Sequence, residues 1–301
     1  MAIKDFSKWL AHPALQPQNM TALLVLLGQG QFIAEDVVPV VPSTDDFQWL
    51  SEAGNDSFLL SKKRGEKGIA EEADLYDVAL SGSAYEYFVR SSITAKTLRS
   101  GNIFSFVNLL VRKSEMIARK IRLSCEKDLL DTLQDTSTYS LINTVSASAA
   151  FDLYATSDPY RVFEKAKTKI LTTEFVTPDT VILGASDKSD MSMSDSIRDT
   201  KAFTSDYTAS GDILERINGL NVLTSTAQYK TINTAGNYVA NPVLDGKAIV
   251  LKRGLIGELR EAQAYNADSD WDKSTKVLEL YGSRVIKPIV TRPQGICIVT
   301  I

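Results

Sequence analysis

The clearest pattern in the sequence is a long run of apolar residues at three- and four-residue spacing between about residues 104 and 133. The residues on this stripe are Val107, Leu110, Val111, Ser114, Ile117, Ala118, Ile121, Cys125, Leu129 and Leu133. The opposite side carries Arg112, Lys113, Glu115, Arg119, Arg122, Glu126 and Lys127. With no proline or glycine to interrupt it, this pattern predicts an amphipathic helix of about 40 Å, well above the average helix length.

Alternation with a period of two predicts strands before this helix. Tyr85, Tyr87 and Val89 fall on one side of the segment from Ala84 to Ile93. We interpret this segment and the extended Phe58-Leu59-Leu60 as the limbs of a long hairpin. The hairpin tip carries a mixed-charge run of Lys62, Lys63, Arg64, Gly65, Glu66, Lys67 and Gly68. A two-stranded hairpin is marginally stable alone, so we expect it to become ordered against another surface.

The remaining patterns predict an arm, several shorter helices and a strand-rich last third. Residues 1–45 are predicted to be an irregular arm with a short helix near 19–27. Its proline-containing stretch, 31–42, suits an edge strand or an extended arm and not a central strand. One helix is predicted at 158–171, with Pro159 in the first turn. A polar loop from Asp187 to Ser196 is predicted to lead into a short helix through Phe203, and a further short helix at 211–217 is predicted to end at Asn218-Gly219. The strands are predicted at 180–183, 221–228, 247–252, 258–265, 276–287 and 295–301. Regular βαβ alternation is missing, which favours an α+β fold over a doubly wound or barrel enzyme.

Composition places limits on the class of protein. The 301 residues have a formal net charge of −4, which argues against avid, sequence-independent binding of nucleic acid. No stretch reaches the roughly 18 apolar residues of a membrane span, so we expect no membrane contact. Two cysteines are too few for a disulfide scaffold and indicate assembly in a reducing cytosol.

Charge is nevertheless distributed unevenly along the chain. Residues 112–127 contain six basic and two acidic residues, whereas residues 187–215 contain seven acidic and three basic ones. Two interpretations stay open. The two stretches are either ordinary solvated faces or the basic and acidic sides of one subunit.

Candidate chemistry is sparse. His12 is the only histidine, which removes most acid–base, histidine–metal and triad schemes. Asp268, Asp270, Asp272 and Glu279 match four positions of a calcium loop, but Lys273 stands where the loop needs glycine, so a polar turn between strands is favoured. We therefore predict no catalytic residue, no cofactor and no metal site, and we do not expect an enzyme.

Several stretches carry a family resemblance. The stretch from Gly30 to Pro42, which reads GQFIAEDVVPVVP, resembles the arm of major capsid proteins of tailed phages. Ala73 to Arg90 is similar to the returning limb of their extended hairpin loop, and Ser105 to Leu133 to their spine helix. PDTVILG at 178–184 resembles the strand entering their axial domain. SDW at 269–271 and GSRVIKP at 282–288 resemble their closing strands. The family has the Hong Kong ninety-seven fold, which encapsulin shells share.

The resemblance implies a domain plan and a function. The plan comprises an N-terminal arm (1–45), an extended hairpin loop (46–98), a peripheral domain (99–171) with the spine helix at 105–133, an axial domain (172–251) and a return to the peripheral domain (252–301).

The implied function is that of a structural major capsid protein, which self-assembles through pentamers and hexamers into an icosahedral virus head. Assembly would take place in the host cytoplasm, and the head would enclose double-stranded DNA. The implied partners are scaffolding, portal and decoration proteins, with weak, non-specific contact to DNA. The alternatives are the shell subunit of an encapsulin-like nanocompartment and, further away, a tail or other virion protein.

Two sets of residues follow as site predictions. The hairpin tip is predicted to contact an oppositely charged surface of another subunit through Lys62, Lys63, Arg64, Glu66 and Lys67, where charge pairing sets the register. The basic side of the spine helix is predicted to face packaged DNA through Arg112, Lys113, Arg119 and Arg122.

Overall fold

The computed structural model describes residues 18–22, 32–55, 75–94, 103–198, 215–234, 236–272 and 274–301. The helices are α1 (Ala34–Val37), α2 (Ile103–Gln134), α3 (Pro159–Glu174) and α4 (Ala185–Met193), and residues 18–22 and 195–198 are also helical. The first strands are β1 (Val40–Pro42), β2 (Asp46–Asn55), β3 (Leu75–Ser83), β4 (Tyr85–Thr94), β5 (Asn143–Ser146), β6 (Thr180–Gly184) and β7 (Arg216–Ile217). The later strands are β8 (Leu220–Ser225), β9 (Gln228–Ile232), β10 (Tyr238–Pro242), β11 (Lys247–Leu251), β12 (Gly257–Asp272), β13 (Val277–Val290) and β14 (Ile296–Thr300).

The long amphipathic helix is confirmed as α2. Its apolar stripe is buried, as the spacing predicts, at Leu110, Ser114, Ile117, Ala118, Ile121, Cys125, Leu129 and Leu133. The polar side differs from the prediction at two positions, because Arg122 and Glu126 are buried as well. In its C-terminal half, α2 is therefore covered over a wider arc than its apolar residues indicate.

A four-stranded sheet in the order β1-β12-β13-β4 packs against α2. Alternate residues of β13 are buried, as expected for a sheet with one face on a core. The predicted edge strand is confirmed for β1, which pairs in parallel with β12 from Val40 to Pro42. Residues 34–37, however, form the single helical turn α1. This turn lets Ile33, Ala34, Val37 and Val38 join the core beside α2.

The returning limb of the hairpin differs from the one that alternation predicts, although it lies within the stretch from Ala73 to Arg90 that carries the family resemblance. The strands of the hairpin are β2 and β3, which pair antiparallel from Asp46 opposite Ser83 to Asn55 opposite Leu75. The segment 85–94 is a strand, as predicted, but it is β4 and pairs with β13 in the four-stranded sheet. The alternation of Tyr85, Tyr87 and Val89 identified a strand and could not identify its partner. Phe58 to Leu60 lies outside the described residues.

A six-stranded sheet in the order β5-β14-β11-β6-β8-β7 forms a second layer. One face, which includes Ile182, Ile249 and Ile298, joins the core around α2. The other face, which includes Val181 and Val250, forms a second core with α3. This sheet combines strands from the predicted peripheral, axial and returning segments, so the domain boundaries at 171 and 251 do not coincide with sheet boundaries and stay a prediction.

Two local predictions in the last half are corrected. The polar loop expected from Asp187 to Ser196 is largely the helix α4, because burial of Asp187 and Met191 gives this segment an inward side. Asn218 and Gly219 do not end a helix. They form the two-residue loop between β7 and β8 with φ values of 49° and 75°, the left-handed conformation that favours Asn-Gly in tight hairpins.

Candidate assembly surface

The exposed side of α2 carries opposite charges at its two ends. Arg112, Arg119 and Lys120 are exposed in the N-terminal half, and Lys113 is half-buried. Three aspartates, Asp128, Asp131 and Asp135, follow in and just after the last two turns. Three of the four residues predicted to face DNA therefore lie on the accessible side of the helix.

The fourth predicted DNA contact, Arg122, lies inside the protein. Arg122 is only 8% exposed, and its guanidinium carbon lies 5.3 Å from the centre of the Tyr265 ring. An arginine buried against an aromatic ring gains a cation–π contact within the fold. Arg122 is therefore unsuited to contact a phosphate from this side of α2, and the prediction for this residue is corrected.

The predicted contact residues of the hairpin tip, Lys62, Lys63, Arg64, Glu66 and Lys67, lie outside the described residues. Their contact with another subunit stays a prediction. The base of the same hairpin is described, and it borders a groove of about 650 Å³. The groove separates the β2–β3 hairpin from the C-terminal end of α2.

Aromatic and acidic side chains line this groove. The rings belong to Trp49, Tyr85, Tyr87 and Tyr139, and the carboxylates to Asp128, Asp131 and Asp135. Lys287 supplies the one cation among the described lining residues. Its amino group lies 5.7 Å from the centre of the Trp49 ring and 5.1 Å from that of Tyr85. We call this site the Asp131 groove.

The three carboxylates of the Asp131 groove differ in how the fold uses them. Asp128 accepts a hydrogen bond from the Tyr87 hydroxyl. Asp135 accepts from the side chain and backbone of Ser137 and from Thr138, and these hydrogen bonds lower its pKa to about 2. Asp131 forms an ion pair with Lys127 one helical turn earlier, and its side chain is 50% exposed. Asp131 is the most exposed of the three, and its surface ion pair with Lys127 is weak enough for a second cation to share the carboxylate.

A buried polar network fixes the segment around α1 to the body of the protein. Glu126 accepts hydrogen bonds from the backbone amide of Ile33 at 3.0 Å and from the Ser225 hydroxyl at 2.6 Å. Burial nevertheless raises the pKa of Glu126. Arg284, which is 3% exposed, donates to Glu35 and Glu261 at 2.7 Å each. These contacts are structural, and no local sequence pattern indicates them because the partners are far apart along the chain.

A second buried carboxylate lies where β2 passes the end of α3. Glu174 is buried, and its carboxylate lies 3.3 Å from Arg292. Burial and the neighbouring Glu52 of β2 raise the pKa of Glu174 to about 7. The backbone amide of Glu52 also donates to Thr291 at 2.9 Å. The hairpin is therefore attached to the body through β2 near its middle.

The described residues offer no arrangement for nucleophilic or metal chemistry. Cys125 and Cys297 are buried, and burial raises their thiol pKa values to about 12 and about 11, so neither is an activated nucleophile. The calcium-like sequence is a β-ribbon, in which Asp270 and Glu279 stand opposite each other on β12 and β13. No group of three metal-ligating side chains occurs within the described ranges. None of the helices searched there is both long and apolar enough to cross a membrane.

Known structures share this architecture over most of their length. A phage-related protein from Bordetella bronchiseptica RB50 superposes with a TM-score of 0.69 at 17% identity, covering 93% of this chain and 95% of that one. The capsid structure of the cyanophage P-SCSP1u gives a TM-score of 0.60 at 12% identity, with 88% and 85% covered. The chain has the tailed-phage capsid fold. The α+β capsid fold predicted from the sequence is therefore confirmed.

The capsid fold is also shared with a virus-like particle from Pyrococcus furiosus, with a TM-score of 0.57 at 10% identity over 94% of this chain and 98% of that one. No family model and no curated protein sequence matches this chain. The likeness lies in the arrangement of helices and strands, because at 10 to 17% sequence identity few residues of any single motif are shared.

Proposed function

We propose that this chain is a structural major capsid protein that self-assembles into an icosahedral virus head enclosing double-stranded DNA. The observation that carries the proposal is the fold it shares with the cyanophage P-SCSP1u capsid structure, over 88% of this chain and 85% of that one. In this proposal the protein is not an enzyme. Its partners are copies of itself in pentamers and hexamers, together with scaffolding, portal and decoration proteins, and it resides in the virion after assembly in the host cytoplasm.

Exposed apolar side chains support self-association. Large exposed apolar surfaces on a soluble protein commonly mark an interaction site. Leu50 and Val78 on the β2–β3 hairpin and Ile232 and Tyr238 on the β9–β10 ribbon are about half to three-quarters exposed. Two-stranded ribbons are marginally stable without a partner surface, so neighbouring subunits would stabilise both of them.

Electron microscopy of the purified 301-residue chain tests this function. We expect hollow shells, or rings of five and six subunits, either from the chain alone or after a candidate scaffolding protein is added. A homogeneous closed dimer or tetramer under both conditions would contradict the proposal. The same micrographs distinguish a shell from an elongated tail or fibre assembly.

An encapsulin-like nanocompartment is a second candidate, favoured by the likeness to the Pyrococcus furiosus particle. The contents of particles purified from the native source separate the two functions. Packaged double-stranded DNA supports a virus head, whereas a packaged protein without DNA supports a nanocompartment.

The exposed basic half of α2 is the proposed DNA-facing surface, now limited to Arg112, Lys113 and Arg119. Each cation that neutralises a phosphate contributes about 0.9 to the slope of log affinity against log salt concentration. We expect the combined substitution R112Q/K113Q/R119Q to lower this slope by about 2 to 3 for duplex DNA. Arg90→Gln, exposed on β4, is the control. Equal slopes for both variants and the unaltered protein would overturn this role.

A further inference from the structure

The Asp131 groove has a charge pattern that helix stability does not explain. Asp128 and Asp131 lie in the last two turns of α2 and Asp135 directly follows it, while the last turn contains no basic residue. The C-terminal end of a helix carries a partial negative charge, so acidic residues there are unfavourable by a few tenths of a kcal/mol each. Lys287 in the lining and Lys127, which pairs with Asp131, face three carboxylates, so one negative charge is left over. This residual negative charge favours a further cation in the groove.

The aromatic lining restricts the kind of cation that fits. Tyr85 is 52% exposed, and it and Trp49 already hold the ammonium group of Lys287 near their rings. Aromatic rings next to carboxylates suit lysine and arginine side chains, whose long stems pack on rings while their charged ends reach acidic groups. A volume of about 650 Å³ accommodates several such side chains.

We propose that the Asp131 groove binds the basic run Lys62–Lys67 of a second copy of the chain. The run contains four basic residues and one acidic residue within six positions, which complements the carboxylates. The inference rests on the proposed function, because it requires that copies of the chain meet in an assembly. It names the surface that receives the hairpin tip, which the sequence could only describe as oppositely charged.

The direction of the hairpin favours a second copy over the same chain. Trp49 borders the groove, and β2 continues from it to Asn55, six residues further. At the rise of a β-strand, this carries the chain about 20 Å beyond Trp49 before residue 56. The groove lies at the opposite end of the hairpin from the connection between β2 and β3, which contains residues 62–67. A groove on a neighbouring subunit can instead lie beside that connection.

Charge reversal tests the contact in assembly. We expect Asp131→Arg to raise the protein concentration needed for assembly roughly fivefold at low salt, and less at about 0.5 M salt, where such contacts are screened. Glu115→Arg is the matched control, because it makes the same charge change at an exposed position in the other half of α2. Circular dichroism verifies that each variant is folded.

The tip variant K62E/K63E/R64E supplies the reciprocal change. We expect it to impair assembly by itself and to assemble better when combined with D131R, because the charges are then exchanged. Equal assembly thresholds for D131R, E115R and the unaltered protein would overturn the inference while leaving the capsid function intact. If the unaltered chain never assembles, with or without scaffold, the capsid function itself fails.

Disulfide trapping identifies the occupant directly, since the two native cysteines are buried. A Lys63→Cys chain is mixed with a separate Asp131→Cys chain under assembly conditions and oxidised. We expect a cross-linked dimer that needs both chains, and none when Glu115→Cys replaces Asp131→Cys. A bond that forms only within a K63C/D131C chain would place the tip in its own groove and overturn the proposal. The absence of any bond in assembled shells, or a bond from Asp131→Cys to a scaffold, would also overturn it.

Discussion

The two halves of α2 differ in whether they bury charged residues. From residue 108 to 120, charged positions are exposed or half-buried, and burial is confined to Leu110, Ser114, Ile117 and Ala118. From residue 121 to 134, the buried positions include Arg122 and Glu126. A charged residue at a polar position of a helix is therefore not necessarily a surface residue.

The difference arises from the number of layers that cover each half. The C-terminal half contacts three separate parts of the fold: Arg122 lies against Tyr265 of β12, and Glu126 binds both Ile33 and Ser225 of β8. Buried charges are tolerated when partners satisfy them, and their loss is then costly because those partners stay buried. The N-terminal half keeps an accessible side, which leaves its charges available for intermolecular contacts.

The substitution with the largest expected effect on stability is Arg284→Ala. It removes the cation that shares the Tyr265 ring with Arg122. Because Glu35 and Glu261 then lose a buried partner, we expect the free energy of unfolding to fall by about 3 kcal/mol. Arg90→Ala is the control, since Arg90 is mostly exposed and its ion pair with Glu279 is a surface contact worth less than about 1 kcal/mol. Chemical denaturation measures both. Equal losses would mean that the Arg284 network does not stabilise the fold.

Glu126→Ala tests the buried side of α2 itself. The substitution leaves the Ile33 amide and the Ser225 hydroxyl without their acceptor, so we expect a loss of about 2 kcal/mol. Glu115→Ala, exposed on the same helix, should change stability by less than about 0.5 kcal/mol. If Glu126→Ala were as neutral as Glu115→Ala, the buried hydrogen bonds of Glu126 would contribute nothing measurable.

The sequence predicts those parts of the fold whose signal is local. The three- and four-residue spacing gives α2 nearly to its ends, and period-two or apolar runs give β6, β11, β13 and β14 within a few residues. The proline at the start of α3 and the Asp158 cap, which accepts from the Arg161 amide, are local as well. In each case neighbouring residues supply both the pattern and its physical cause.

The sequence does not predict features that depend on partners far along the chain. The burial of Glu126 requires Ile33 and Ser225, which are 93 and 99 residues away. The returning limb of the hairpin was misassigned to β4 because alternation identifies a strand without identifying its neighbour. The Asp131 groove combines residues near 49, 85, 131 and 287, so no single motif marks it. Of the proposed contact between the hairpin tip and the Asp131 groove, a local sequence pattern marks only the charged tip.

A pH titration extends the comparison to α3, which carries an exposed Glu164 and a buried Glu174. The folded-state pKa of Glu174 is raised from 4.5 to about 7, mainly by burial and then by Glu52. Because the folded state holds this proton more tightly than the unfolded chain does, the contribution of Glu174 to the free energy of unfolding is fully present below pH 4.5. It is lost as the pH rises towards 7. Glu174→Gln should remove a decline on the order of 2 kcal/mol across this window, whereas Glu164→Gln should leave it. Glu126, whose pKa burial also raises, adds a decline of the same sign.

The smallest changes in stability are expected in the N-terminal half of α2, where the charged side chains are exposed. Arg112→Gln and Arg119→Gln remove charges that lie beyond the first turn of the helix, where the helix dipole has little influence, and they leave no buried partner behind. We therefore expect changes in unfolding free energy within about 0.5 kcal/mol, measured by the same denaturation. A loss above about 1 kcal/mol would mean that these side chains serve the fold. Unchanged stability together with a smaller slope of log DNA affinity against log salt concentration would mean that these residues bind a partner and do not stabilise the fold. On this helix, the residues that can be removed without loss of stability would then be the ones that contact DNA.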